Sequence, residues 1–134
     1  MENNTPDYAR PTPSPVPPRI LVVDDNKDAA DSLSALLQFL GAEVHIAYEG
    51  SSALEQIAQY RPGVVLLDLV MPGVDGFEVA RRVRQDPQCA GLKLIALTAL
   101  GQDEDRHRTS EAGFDQHLVK PLSPDAIHKL LEAL

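Results

Sequence analysis

Val64-Val65-Leu66-Leu67-Asp68 sets four apolar residues directly against one carboxylate, and Leu69-Val70-Met71-Pro72-Gly73 follows. An apolar run this short, with no polar alternation, reads as a strand buried on both faces. Such strands belong to parallel sheets covered by helices, and in open sheets of that kind ligands and chemistry sit at the carboxyl ends of the strands. Asp68 occupies such an end, where a Pro/Gly-rich segment breaks the strand. Taken alone it is better explained as a capping Asp at a strand exit. Three other strands that end the same way reverse that balance.

Ile20-Leu21-Val22-Val23 is a second such run and ends in Asp24-Asp25. Leu94-Ile95-Ala96-Leu97 ends in Thr98, and His117-Leu118-Val119 ends in Lys120-Pro121. Val44-His45-Ile46-Ala47 is a shorter strand, placed nearer the sheet edge by His45. Helix patterns lie between the strands. Leu33, Leu36, Leu37 and Leu40 recur at i, i+3, i+4, i+7 and stop at Gly41. A second helix starts at Gly50-Ser51-Ser52, with Ser51 or Ser52 as N-cap, and buries Ala53, Leu54, Ile57 and Ala58. Phe77, Ala80 and Val83 mark a third, over about 76–85. Residues 103–111 are charged, with few apolar anchors, and form a weak, exposed or mobile helix. Ser123 and Pro124 open the last, whose stripe is Ile127, Leu130, Leu131 and Leu134.

Five alternating β/α units predict an α/β fold. It is a flavodoxin-like, doubly wound, five-stranded parallel sheet of order 2-1-3-4-5, with helices on both faces. The chain is too short for a (β/α)₈ barrel. It contains neither GxGxxG nor GxxxxGK[ST], so dinucleotide and P-loop phosphate binding are unsupported.

Residues 1–18 carry Pro6, Pro11, Pro13, Pro15, Pro17 and Pro18 and read as a disordered tail or linker. A proline-recognition ligand at Pro15–Pro18 is the alternative. The domain itself spans 19–134. A net charge of −8 argues against direct DNA binding and against attachment to anionic lipid. No apolar stretch reaches the roughly 20 residues that membrane insertion needs, and no signal peptide is legible. Cys89 stands alone, which excludes an internal disulfide framework and fits the cytoplasm.

In the order 2-1-3-4-5, strands one and three are neighbours, so Asp24, Asp25 and Asp68 converge. Thr98 and Lys120 arrive on the other side of Asp68. Three carboxylates so close repel one another and raise each other's pKa. A hard divalent cation such as Mg²⁺ offsets that repulsion, takes one or two carboxylates and keeps positions open for a phosphoryl oxygen. Three carboxylates against one ammonium leave two surplus negative charges, which one Mg²⁺ cancels. Asp68, flanked by acids on one side and by Thr98 and Lys120 on the other, is the best-placed phosphoryl acceptor.

From about Arg19 to Leu134 the chain resembles the receiver domain of two-component response regulators. The matching residues are Asp24-Asp25 after ILVV, Asp68 in VVLLDLVMPGVDG, Thr98 in LIALTA and Lys120-Pro121 in HLVKP. The resemblance implies phosphorylation of Asp68 by the phosphohistidine of a sensor histidine kinase or histidine phosphotransfer protein. It also implies Mg²⁺ binding by Asp25, Asp68 and the backbone carbonyl of Val70, with Asp24 acting through water, and contacts from Thr98 and Lys120 to the phosphoryl group. Such a domain is not an enzyme; it is a phosphoacceptor that assists its own phosphorylation and dephosphorylation. AGFDQHLVKP and DDNKDAADSL are most similar to receivers of hybrid histidine kinases. One departure matters: the family's switch aromatic, three residues before the lysine, is His117 here.

Two other readings compete. A metal-dependent phosphatase on a related fold would place an acid two residues beyond its nucleophile, where this chain has Val70. A receiver-like scaffold that does not cycle would have no need of the full set of Asp24, Asp25, Asp68, Thr98 and Lys120. Val70 and Leu100, two residues beyond Asp68 and Thr98, cannot orient a hydrolytic water through their side chains, which predicts a long-lived phosphorylated state.

Overall fold

The computed structural model describes residues 17–99 and 103–134, with the backbone alone for 103–106. The tail read from composition therefore lies outside the described residues, apart from Pro17 and Pro18. Eleven elements alternate: β1 (Arg19–Val23), α1 (Lys27–Phe39), β2 (Glu43–Ala47), α2 (Gly50–Tyr60), β3 (Val64–Asp68), α3 (Gly76–Gln85), a 3₁₀ turn (Pro87–Cys89), β4 (Lys93–Thr98), α4 (Asp103–Ala112), β5 (Gln116–Val119) and α5 (Pro124–Glu132). The five strands are parallel in the order β2-β1-β3-β4-β5, as the alternation predicts.

Successive residues of the central strands feed opposite layers. Leu21, Val23, Val65, Leu67, Leu94 and Ala96 pack under α2 and α3 with Ala53, Ile57, Val79 and Val83. Ile20, Val22, Leu66, Ile95 and Leu97 pack under α1 and α5 with Leu37, Ile127 and Leu130. Both faces are covered, which is why these strands show no polar alternation. β2 is an edge strand, and His45 is exposed on it, where its ring stacks on Tyr60 with centroids 3.5 Å apart.

Helix ends follow local chemistry. Asn26 Oδ1 accepts the Ala29 N–H at 3.0 Å and caps α1, an arrangement typically worth about 1 kcal/mol. Gly41, at φ +102, ends it, with Gly41 N–H on the Gln38 carbonyl and Ala42 N–H on that of Leu37. Ser123 Oγ accepts the Ala126 N–H and caps α5. Leu40 and Leu134 are more exposed than their stripes predict, because each falls just past the end of its helix.

α2 starts within the expected Gly50-Ser51-Ser52 stretch, but its cap differs. Its N-cap is Glu49 and its first residue is Gly50. Ser51 and Ser52 bind Glu49, through its carboxylate at 2.9 Å and its carbonyl at 3.1 Å. Neither therefore acts as the N-cap. Ala58 is exposed, and Tyr60 takes its expected place in the core. The 3₁₀ turn was not legible as an element; Asp86 opens it by accepting the Gln88 N–H.

Candidate functional site at the carboxyl ends of the strands

Strand register brings the polar ends to one level. Val23 pairs with both Ala47 and Leu67, Asp68 with Leu97, and Thr98 with Val119. Asp24 thus emerges beside Asp68, and Lys120 beside Thr98. The ladder runs one step further, with Lys120 N–H on the Thr98 carbonyl at 2.7 Å and Leu69 N–H on the Leu97 carbonyl at 3.2 Å.

Asp24, Asp25 and Asp68 each bring an oxygen within 4.8 Å of the others. Their environments differ. Asp24 is 3% exposed, and its Oδ1 accepts the Asn26 N–H at 3.0 Å. Asp25 is exposed on the β1–α1 turn. Asp68 is buried, and its Oδ1 accepts the Val70 N–H at 3.2 Å. The expected convergence is present, with one addition. Lys120 Nζ lies 3.2 Å from Asp68 Oδ2 and 2.9 Å from Asp24 Oδ2, so the ammonium bridges two acids and does not merely flank Asp68. Its peptide bond to Pro121 is cis. Thr98 is buried at the end of β4. The Val70 side chain is 81% exposed at the rim, while Leu100 lies outside the described residues.

Burial raises the pKa of Asp68; Lys120 and the Val70 N–H oppose this, and Asp24 adds to it. Burial alone would lower the pKa of Lys120, but its contacts with Asp24 and Asp68 outweigh that and raise it. The site is a partly desolvated acid cluster in which the Lys120 ammonium is held between Asp24 and Asp68. An all-oxygen donor set of this kind, with one exposed carboxylate and one buried one, fits Mg²⁺ and gives no sulfur or nitrogen ligand to favour a softer ion.

His117 is half-buried on β5, with Nδ1 at 3.5 Å from Thr109 Oγ1 of α4. Near the site, sequence reasoning missed the Asn26 cap and the close packing of Gly50 on Val74 and of Gly76 on Asp68 and Leu69. An Asn just before the helical pattern could have indicated the cap; close packing at a glycine leaves no local signal.

Residues 20–132 match the response regulator receiver domain. The chain is 36% identical over 117 residues to RpaA of Synechocystis sp., a DNA-binding dual master transcriptional regulator, covering 87% of this chain and 48% of RpaA. It is 39% identical over 119 residues to the response regulator MprA of Mycobacterium sp., covering 89% of this chain and 51% of MprA. The chain thus spans about half the length of these relatives. Among solved structures, the chemotaxis protein CheY4 of Vibrio cholerae superposes with a TM-score of 0.83 at 30% identity, covering 88% of this chain and 98% of CheY4. Sheet order, strand-end acids and sequence all lead to one assignment: this chain belongs to the receiver domain family of two-component response regulators.

Proposed function

We propose that Asp68 is the phosphoacceptor of a two-component pathway and takes its phosphoryl group from the phosphohistidine of a sensor kinase or phosphotransfer protein. An Asp68 oxygen forms the new P–O bond as the P–N bond breaks, and the departing imidazole nitrogen keeps the electron pair and takes a proton from water. Asp25, Asp68 and the Val70 carbonyl would hold Mg²⁺, with Asp24 acting through water. Bound there, the ion supplies charge stabilisation for the transferring oxygens. Lys120 and Thr98 act on the same oxygens. Each phosphorylation is stoichiometric, so the chain is a switched signalling module and not a turnover enzyme.

The observation that carries this reading is the Lys120 bridge between Asp24 and Asp68. It places one cation directly beside a buried carboxylate at the end of β3, where a transferring phosphoryl oxygen would lie next to it. A second feature supports the donor. A cavity of about 480 Å³ opens beside the site between α1 and the β5–α5 segment, lined by Ala29, Ser32, Leu33, Leu36, Leu122 and Ile127 among others. Ala29 and Ser32 are small and exposed, so a partner helix can approach closely.

With a net charge of −8, the chain is a poor ligand for a phosphate backbone, and the proposed partner is a protein, not DNA. Among the described residues no helix is long and apolar enough to cross a membrane, and the cytoplasm is the proposed compartment. Residues 1–18 are assigned on composition to a linker preceding the domain at 19–134.

The test is mass spectrometry after incubation with acetyl phosphate and Mg²⁺. The wild type should gain one phosphoryl group per chain, and Asp68→Asn, nearly isosteric, should gain none while keeping its fold. Labelling of Asp68→Asn at the wild-type level would sink the assignment.

A further inference from the structure

The segment between β3 and α3, Leu69–Asp75, carries Val70, one of the donors proposed for the metal. Two backbone contacts hold it. At its far end Gly76 packs on β3: a Cβ there would overlap the Asp68 carbonyl oxygen and lie 2.9 Å from the Leu69 Cα. Gly76 N–H also donates to the Leu69 carbonyl at 3.2 Å. The second contact comes from a different part of the chain. Gly50, the first residue of α2, is buried, and a Cβ on it would fall on the Val74 carbonyl oxygen, with the Val74 carbonyl carbon and Cβ each 2.9 Å away. Not even a methyl group fits there unless the Val74 backbone moves. Gly50 is not among the glycines with positive φ, so space alone demands glycine, and Ala would otherwise be the better helix former. The first turn of α2 has little freedom to give way, because Ser51 and Ser52 are both tied to Glu49 and Ala53 is fully buried.

We infer that Gly50 is a positioning residue for the metal site: by presenting bare backbone to the Val74 carbonyl, α2 sets where the Leu69–Asp75 segment rests, and with it the Val70 backbone beside Asp68. This rests on the reading of Asp68 and Val70 given above. Residues that orient a metal's ligands without touching the metal typically govern affinity by 10- to 100-fold, and this one acts through hard contact, not through a hydrogen bond. Gly50 touches no ligand; it limits where one of them can be.

The experiment compares wild type, Gly50→Ala and Gly91→Ala by calorimetric Mg²⁺ titration, with thermal unfolding in parallel. Gly91 has nothing within 4 Å of its added Cβ and controls for glycine replacement as such. Wild type and Gly91→Ala should bind Mg²⁺ alike, and Gly50→Ala about tenfold more weakly. A Gly50→Ala/Val74→Gly double variant, whose 74 carbonyl is free to turn aside, should recover part of the loss. If Gly50→Ala alone does not fold, the double variant is compared with Val74→Gly and should bind Mg²⁺ more weakly by more than about twofold, though by less than the roughly tenfold expected of Gly50→Ala. Affinity within twofold of the reference in a folded Gly50 variant overturns the inference while leaving the phosphoacceptor reading intact. Absence of Mg²⁺ binding by the wild type overturns both.

Discussion

Arg84 Nη2 donates to Asp115 Oδ2 at 2.7 Å across 31 residues of sequence. The same guanidinium donates to the Gly113 carbonyl through Nε and to the Leu92 carbonyl through Nη1, both at 2.8 Å. Asp115 Oδ2 also accepts the Leu94 N–H at 2.8 Å, and Asp115 N–H returns a bond to the Leu94 carbonyl. One planar fork thus joins the end of α3 to the starts of β4 and β5, the strands that deliver Thr98 and Lys120. The Asp115 side chain is 46% exposed, so the charge pair is screened and the carbonyl bonds carry most of the effect. Arg84→Ala should lower stability by about 2–3 kcal/mol in urea unfolding. Arg84→Lys should recover less than half of that, because one ammonium cannot match three fixed directions. A wild-type midpoint for Arg84→Ala would remove the hub.

Because burial raises the pKa of Asp68, its ionisation weakens the metal-free fold. The penalty is absent below the unfolded pKa, grows as pH climbs through the raised folded value, and is complete above it. Asp68→Asn removes it. In EDTA at neutral pH the variant should therefore melt a few degrees higher than wild type, a gain on the order of 1 kcal/mol. That gain should shrink as pH falls through the raised value. A gain that stays constant into strong acid would trace to something other than this carboxylate.

Asp24 is already engaged by Lys120 and the Asn26 N–H, whereas Asp25 is exposed. A direct ligand loses more on neutralisation than one acting through water. Calorimetric titration should show Asp25→Asn binding Mg²⁺ at least tenfold more weakly than Asp24→Asn. Equal affinities, or phosphotransfer that survives EDTA, would contradict the assigned ligands.

Ala29 sits in the first turn of α1 and lines the cavity with Asp24 and Lys120. An arginine there would fill the space a partner helix would use. Ala29→Arg is expected to slow phosphotransfer from a phosphohistidine donor protein by about tenfold or more, some 1.4 kcal/mol, and to leave labelling by acetyl phosphate unchanged. Equal slowing with both donors would mean that the substitution disturbs the site and not the docking.

Val70 presents its side chain to solvent at the rim of the site and offers no group to orient a hydrolytic water. Val70→Asn should shorten the lifetime of the phosphorylated protein by roughly tenfold, or about 1.4 kcal/mol of barrier, read as loss of phosphate from purified material in Mg²⁺. Hydrolysis at or below the wild-type rate would show that this position does not govern the lifetime.

His117 illustrates a limit of reading by family position. Its place three residues before Lys120 identifies it with the switch aromatic, yet only the fold shows which element it faces. It stands half-buried beside Thr109 of α4, which favours a packed, partnered side chain over a freely swinging one.

The sheet order and the positions of Asp24, Asp25, Asp68, Thr98 and Lys120 could be read from the chain alone, because each lies where a short apolar run meets a polar residue. A strand buried on both faces writes itself locally, residue by residue, and parallel strands joined by helices have few ways to assemble. Other features carried no such local mark. Lys120 reaches past Asp68 to Asp24, across separations of 52 and 96 residues. Ser51 and Ser52, which match the composition of an N-cap, bind Glu49, and α2 starts at Gly50. Glycine at 50 and arginine at 84 look like ordinary helix residues until Val74 and Asp115 are brought against them. The difference is physical: hydrophobic periodicity is set by backbone geometry within a few residues, whereas a steric stop or a forked hydrogen bond exists only once distant segments have packed.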